Sequence, residues 1–211
     1  MTNIDPAILN IFVAGCHRAG AAGLLRCSSG NMSLRVGDDE MLVSARGSWL
    51  EELTDDQVVH CCISSGEVLN GKEASVETGL HRGVLQGRPD VSCVLHCQTP
   101  CATTLGCRDG EVPAYDVIPE IPFYIGAIAD VPYIMPGSTD LAAAVTEAMA
   151  THDLAQLRHH GQVVAGSDPN DVIQKGRFFE LACEIVLHGG DSVRPLSEGD
   201  IARLQGKGIG A

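Results

Sequence analysis

The sequence predicts an α/β protein of the α+β kind, with a mainly antiparallel central sheet flanked by helices. Three observations lead there. Strand-like and helix-like segments are mixed along the chain without the strict alternation of a doubly wound sheet. "NMSLRV", the turn "GDDE" and "MLVSA" read as a hairpin, the connection that joins antiparallel neighbours. Neither a GxGxxG nor a Walker A loop is present, which removes the usual nucleotide signatures.

At the start of the chain, Asp5-Pro6 sets a capping side chain before a proline at the first helical position. Ile8, Leu9, Ile11, Phe12, Val13 and Cys16 then recur at helical spacing, so a first helix is expected as far as about Leu25. The hairpin is entered through "SSGN". "QVVHCCIS" reads as a strand closed by Ser65-Gly66, and "SVETGLHRGVLQGR" carries Val76, Leu80, Val84 and Leu85 at helical spacing. "DVSCVLHCQ" is short, apolar and β-branched, as a buried strand is. Residues 106–135 are proline-rich and give no clear assignment. A helix capped by Ser138 or Thr139 follows, then "AQLRHHGQVVAG" as a strand and "DPNDVIQKGRFFELACEIVLHGG" as a long helix ending in glycines. The tail, "LSEGDIARLQGKGIGA", is expected to begin as a short helix and fray.

A chain of 211 residues supports one full core but not two ordinary domains, so a single domain over residues 1–211 is expected. The net charge of -13 opposes binding to phosphate backbones, so nucleic acid is not an expected partner. No apolar run reaches spanning length and the amino terminus lacks the pattern of an export leader, which points to a soluble, cytoplasmic protein without a membrane partner. Nine cysteines are an odd number at irregular spacings, so reduced thiols are expected; a thiol redox role is weak without a C-x-x-C at a helix start.

The chemistry-bearing stretch is "CVLHCQTPC". In a strand His96 and Gln98 share one face and Cys97 takes the other. A lone strand histidine is more often a hydrogen-bonded core residue than a ligand, so further residues are needed. Glu77 at a helix start, and His159 and His160 of "RHHG" facing opposite sides of a strand, supply them. A carboxylate and imidazoles drawn from separate elements suit a zinc site with a position left for substrate. Glu77 and His81, four apart, admit a rival in which one helix supplies both ligands, or simply an ordinary contact on a helix surface. "SSGN" offers hydroxyls, a permissive glycine and amides, either as a nest for anionic oxygens or as a plain turn.

"CSSGNMSLRV", "LVSARGSWLEEL", "ASVETGLHRGVLQGRPDVSCVLHCQTPCAT" and "LRHHGQVVAGSDPNDVI", in this order, resemble the class II aldolase/adducin family, in particular its fuculose-phosphate branch. The resemblance implies a divalent metal, expected to be Zn2+, on Glu77, His96 and His160, with Gln98 where the family has the second histidine of H-x-H. An amide oxygen is a weaker zinc ligand than imidazole, so Mn2+ or Co2+ enter as alternatives. It also implies substrate-phosphate contacts at Gly30, Asn31, Gly47 and Ser75. Arg46 stands where the family often has threonine and Val76 where it often has a second serine; the Arg46 guanidinium either offsets that loss by gripping the phosphate or is an ordinary solvent-facing loop residue. Glu77 is the implied proton carrier. The family's tyrosine position falls near Val117, with Tyr115 and Tyr124 as candidates. The implied reaction is aldol cleavage of a phosphorylated ketose, L-fuculose 1-phosphate, to dihydroxyacetone phosphate and a short aldehyde, in a homotetramer with active sites between subunits. A pentulose-phosphate 4-epimerase, a dehydratase and a non-catalytic adducin-like scaffold are the alternatives.

Overall fold

The structure, a computed structural model, describes residues 4–110 and 112–206. Helix α1, Pro6–Ala21, begins as its sequence dictates: Pro6 occupies the first turn and the Asp5 side chain accepts from the Ala7 amide at 2.8 Å. It ends short of Leu25 because Gly23 adopts a left-handed φ of 75° and turns the chain, dropping Leu24 and Leu25 into the core. The hairpin forms from β1, Asn31–Arg35, and β2, Glu40–Ser44, followed by β3, Val58–Cys62. Next come α2, Thr78–Gly87, and β4, Cys93–Cys97, which is buried throughout.

A short helix, α3, Pro100–Gly106, was not expected from the sequence. The unassigned proline-rich segment holds one π-type turn, Ile121–Ile125, and strand β5, Ile128–Val131. Helix α4, Thr139–Met149, has Ser138 as its cap, the hydroxyl accepting from Leu141 N at 3.1 Å. Then follow β6, Leu154–Leu157, β7, Gly161–Gly166, α5, Pro169–Gly189, and α6, Glu198–Gly206. The expected fraying of the tail falls on 207–211, outside the described residues.

One sequence expectation is corrected here. "AQLRHHGQVVAG" is two antiparallel strands, and His159 and His160 lie in the turn between them. His159 takes a left-handed φ of 54°, and His160 N returns to Leu157 O at 3.2 Å. The turn is tied down on both flanks: His159 N bonds Gly106 O at 3.1 Å, Arg158 N bonds Val131 O at 2.9 Å, and the Arg158 guanidinium grips Asp130. No Asn-Gly or Asp-Gly signals this reversal in the sequence.

The strands form one sheet in the order β3-β2-β1-β4-β7-β6-β5. Every neighbouring pair is antiparallel except β5 and β6, which are parallel and joined through α4, the helical crossover such a pair needs. Alternation along the strands divides the interior into two cores. Met32, Leu34, Leu42, Leu95 and Val164 face α1, α3 and α5, packing on Phe12, Leu105 and Phe179. Met41, Val43, Val94, Val163 and Ala165 face α2 and α4, packing on Leu80, Val84, Leu141 and Met149. His96 alternates with Leu95 and Cys97, so it falls on the α2 side. No helix among the described residues is long and apolar enough to cross a membrane.

Candidate metal centre

Three elements converge on the α2 side of β4. Glu77 caps the start of α2, where the positive end of the helix favours a carboxylate. His96 stands near the end of β4, opposite Asn31 of β1 in the register. His160 enters from the β6–β7 turn. One ligand atom from each of Glu77, His96 and His160 lies within 4.8 Å of the others, and the two imidazole rings meet edge to face at 4.7 Å.

The hydrogen bonds fix which atoms are free. His96 Nδ1 lies 2.9 Å from the Gln162 carbonyl, which only accepts, so Nδ1 carries the hydrogen and Nε2 presents its lone pair. That lone pair faces Glu77 Oε2 at 3.4 Å, and His160 Nε2 faces Glu77 Oε1 at 3.4 Å. A charged hydrogen bond would draw such atoms to about 2.7–2.9 Å. A tetrahedral ion with bonds of about 2.0–2.1 Å separates its ligands by about 3.4 Å. Glu77 Oε1 and His96 Nε2 are buried with no hydrogen-bond partner among the described residues, so the donor set fits a divalent cation.

Electrostatics agree. Burial raises the Glu77 carboxyl, but His96, the Asn31 hydrogen bond and His160 outweigh it and hold the group below the usual carboxylate value. Burial, helped by His96 and opposed by Glu77, pushes His160 down to about 4, so its imidazole is neutral and able to ligate near neutral pH.

Gln98 falls one residue beyond β4, half-buried, its backbone N–H donating to Leu24 O at 3.3 Å. It packs over Gly161. A methyl group on Gly161 would lie 2.4 Å from Cys97 O, 2.8 Å from Gln98 Cγ and 3.2 Å from His96 Cε1. The glycine after His160 is therefore what lets the turn close against the end of β4.

Both ring nitrogens of His81 are engaged by other side chains, which speaks against the rival with two ligands on one helix. Its Nδ1 pairs with Ser33 Oγ at 2.8 Å and its Nε2 with Asn31 Oδ1. The Asn31 amide nitrogen in turn donates to Glu77 Oε2 at 3.0 Å. Sequence reading missed this row of groups. The spacing of Glu77 and His81 was visible, but what His81 touches depends on β1 lying beneath α2.

The residues expected to bind phosphate lie at the start of β1 and on the loops that follow β2 and precede α2. Gly30, at φ 104°, presses against the His96 carbonyl, which a Cβ would approach to 2.8 Å. Asn31 spends its side chain on Glu77 and His81. The Ser75 hydroxyl accepts from Glu77 N at 3.3 Å. Gly47, at φ 72°, is open, and Arg46 pairs with Glu73 at 2.6 Å in an exposed contact. Of the tyrosine candidates, Tyr115 packs in the core against Phe179 and Tyr124 stacks on Phe178. Tyr133, not considered from the sequence, meets the His159 ring at 6.4 Å. All nine cysteines are free, and burial pushes the thiols of Cys16, Cys93, Cys97 and Cys183 up, away from reactive thiolate.

Comparison with known proteins sets this centre among relatives. The family model "Class II Aldolase and Adducin N-terminal domain" matches residues 10–187. The 3-oxo-tetronate 4-phosphate decarboxylase of Escherichia coli is 29% identical over 182 residues, 84% of this chain and 85% of the relative. The methylthioribulose-1-phosphate dehydratase of Cronobacter sakazakii is 31% identical, over 76% of this chain and 84% of the relative. Among solved structures, Escherichia coli YgbL, described as an aldolase, epimerase or decarboxylase, superposes with a TM-score of 0.88 at 25% identity, covering 94% and 98% of the two chains. An L-fuculose 1-phosphate aldolase superposes with a TM-score of 0.85 at 19% identity, covering 96% of each chain, a likeness of fold.

Proposed function

The chain belongs to the class II aldolase and adducin family, and we propose that within it this protein is a cytoplasmic, divalent-metal-dependent lyase. Its substrate is a small phosphorylated ketose or keto acid, and it breaks a bond at the carbon next to the carbonyl. The observation that carries the reading is a pair of buried acceptors without a hydrogen-bond partner among the described residues: His96 Nε2, 3.4 Å from Glu77 Oε2, and Glu77 Oε1, 3.4 Å from His160 Nε2. Glu77, His96 and His160 would hold the cation, with Gln98 beside them; Zn2+ is the first expectation, and Mn2+ or Co2+ follow from the amide at 98.

A bound cation supplies the positive charge that draws the substrate's carbonyl electrons toward oxygen as the bond breaks. The chain supplies the rest. Glu77 Oε1, buried and unbonded, is the group positioned to carry the proton to or from the reacting carbon. Gly30, Gly47 and Ser75 offer amides and a hydroxyl to the phosphate, Arg46 adds charge, and Asn31 serves mainly to hold Glu77.

Decarboxylation of a 3-oxo acid phosphate is the first reaction to expect, because the Escherichia coli relative carries that name over most of both chains. Aldol cleavage of L-fuculose 1-phosphate rests on the sequence resemblance and a shared fold, and stands second. The test is a metal analysis of the purified protein together with a panel of 3-oxo-tetronate 4-phosphate, methylthioribulose 1-phosphate and L-fuculose 1-phosphate, scored for carbon dioxide, water loss and aldehyde. Absence of any product from metal-loaded protein would point to the scaffold alternative. A homotetramer with sites between subunits belongs to the same proposal. Val76, beside Glu77, and Tyr133, beside His159, are exposed apolar residues that a neighbouring subunit would cover; light scattering checks it.

A further inference from the structure

Behind Glu77 stands a row of polar side chains that no ligand role explains: Asn31 and Ser33 from β1 and His81 from α2. Ser33 and His81 are 0% exposed and Asn31 6%. They are brought together by the pleat, since Asn31 and Ser33 alternate with Met32 and so face α2, and by the helix, since His81 lies one turn after Glu77. Polar groups this deep remain only when each finds a partner, and here each does.

The direction of every hydrogen follows from one end. An ionised carboxylate only accepts, so Asn31 must turn its amide nitrogen to Glu77 Oε2, at 3.0 Å. Its oxygen is then left for His81, so His81 Nε2 must carry the hydrogen. Nδ1 is therefore the acceptor, and the Ser33 hydroxyl, 2.8 Å away, donates to it. The other imidazole tautomer would set two acceptors against each other at Asn31, and turning Asn31 over would set its oxygen against the carboxylate. With His81 neutral, only one arrangement satisfies all four groups.

We propose that Ser33 and His81 are positioning residues of the metal centre, holding Asn31 so that its bond to Oε2 fixes the orientation of the Glu77 carboxylate and leaves Oε1 without a hydrogen-bond partner. The inference rests on the metal-centre reading above. Partners of this kind are worth about 10–100-fold in metal affinity.

The test titrates Co2+ into wild type and variants and follows the melting temperature of each. His81→Phe removes the donor and should weaken Co2+ binding about 10-fold or more. His81→Gln replaces the Nε2 hydrogen with an amide hydrogen and should restore affinity to within a few fold of wild type. Ser33→Ala removes one hydroxyl and should weaken binding without unfolding the chain, so it decides the matter if the phenylalanine variant does not fold. Wild-type affinity in both His81→Phe and Ser33→Ala overturns the inference, as does a loss equal in the phenylalanine and glutamine variants, which marks a packing role. Nitrogen NMR of His81 in wild type should show the neutral Nε2–H tautomer; the Nδ1–H tautomer overturns the inference. A wild type that takes up no Co2+ overturns the metal reading instead, and the NMR result then decides the inference by itself.

Discussion

Glu77, Asn31, His81 and His96 are at most 8% exposed and are held by named partners, whereas Arg46 and Val76, on the loops that follow β2 and precede α2, are about 60% exposed and held by little. The inner wall is set before any substrate arrives. The rim has one solvent-facing ion pair, of a kind worth about 0–1 kcal/mol. Groups that must meet a cation within tenths of an ångström need the first arrangement, while groups that choose among substrates tolerate the second.

The comparison breaks most visibly at Glu77. Glu77→Gln keeps the shape but removes the charge and the proton carrier, so turnover on whichever panel substrate reacts should fall by about 10²–10⁴ with the melting temperature nearly unchanged. Activity surviving that change removes Glu77 from the mechanism. Gly161→Ala drives a methyl group against the Cys97 carbonyl, so it should destabilise the fold by about 1–3 kcal/mol in denaturant titrations and loosen the metal. A fully stable alanine variant would mean that the turn is not packed as described.

Gln98→His tests the edge of the wall. It should raise zinc retention under mild chelation about 10-fold or more, imidazole being the stronger ligand; equal retention would mean that residue 98 is not in the coordination sphere. Acid should strain the wall of the metal-free protein as well. Burial holds His81 at about 3 and His160 at about 4, both below the ordinary 6.5. The unfolded chain binds these protons below about pH 6.5 and the folded chain does not until about pH 4 or lower, so stability is full above 6.5 and declines as the pH falls toward 4. Melting temperatures at pH 7.5 and 4.5 should show the decline, and His81→Gln should lessen it. The rim gives the smallest effect: Arg46→Ala should raise KM several-fold, leave kcat alone and change stability by less than about 0.5 kcal/mol. An unchanged KM would make Arg46 a bystander.

What could be read from the sequence follows the same division. The Asp5-Pro6 cap, the hairpin, the buried strand carrying His96 and the helix beginning at Glu77 rest on local signals, and the structure has each of them. The reversal at His159 was hidden because a histidine takes the left-handed position usually left to glycine or asparagine. Helix α3 is seven residues long, too short for a period to show, and β5 sits in a proline-rich run with only four residues of strand. The row from Ser33 to Glu77 joins residues 46 to 50 positions apart, and no local pattern encodes which strand will lie under which helix.

The sheet has one further consequence. His96, Asn31 and Ser33 all hang from the face that meets α2 and α4, so the opposite core, built on Phe12, Leu105 and Phe179, holds none of the reactive groups. Substitutions that repack that far side should therefore change stability more than they change the metal centre.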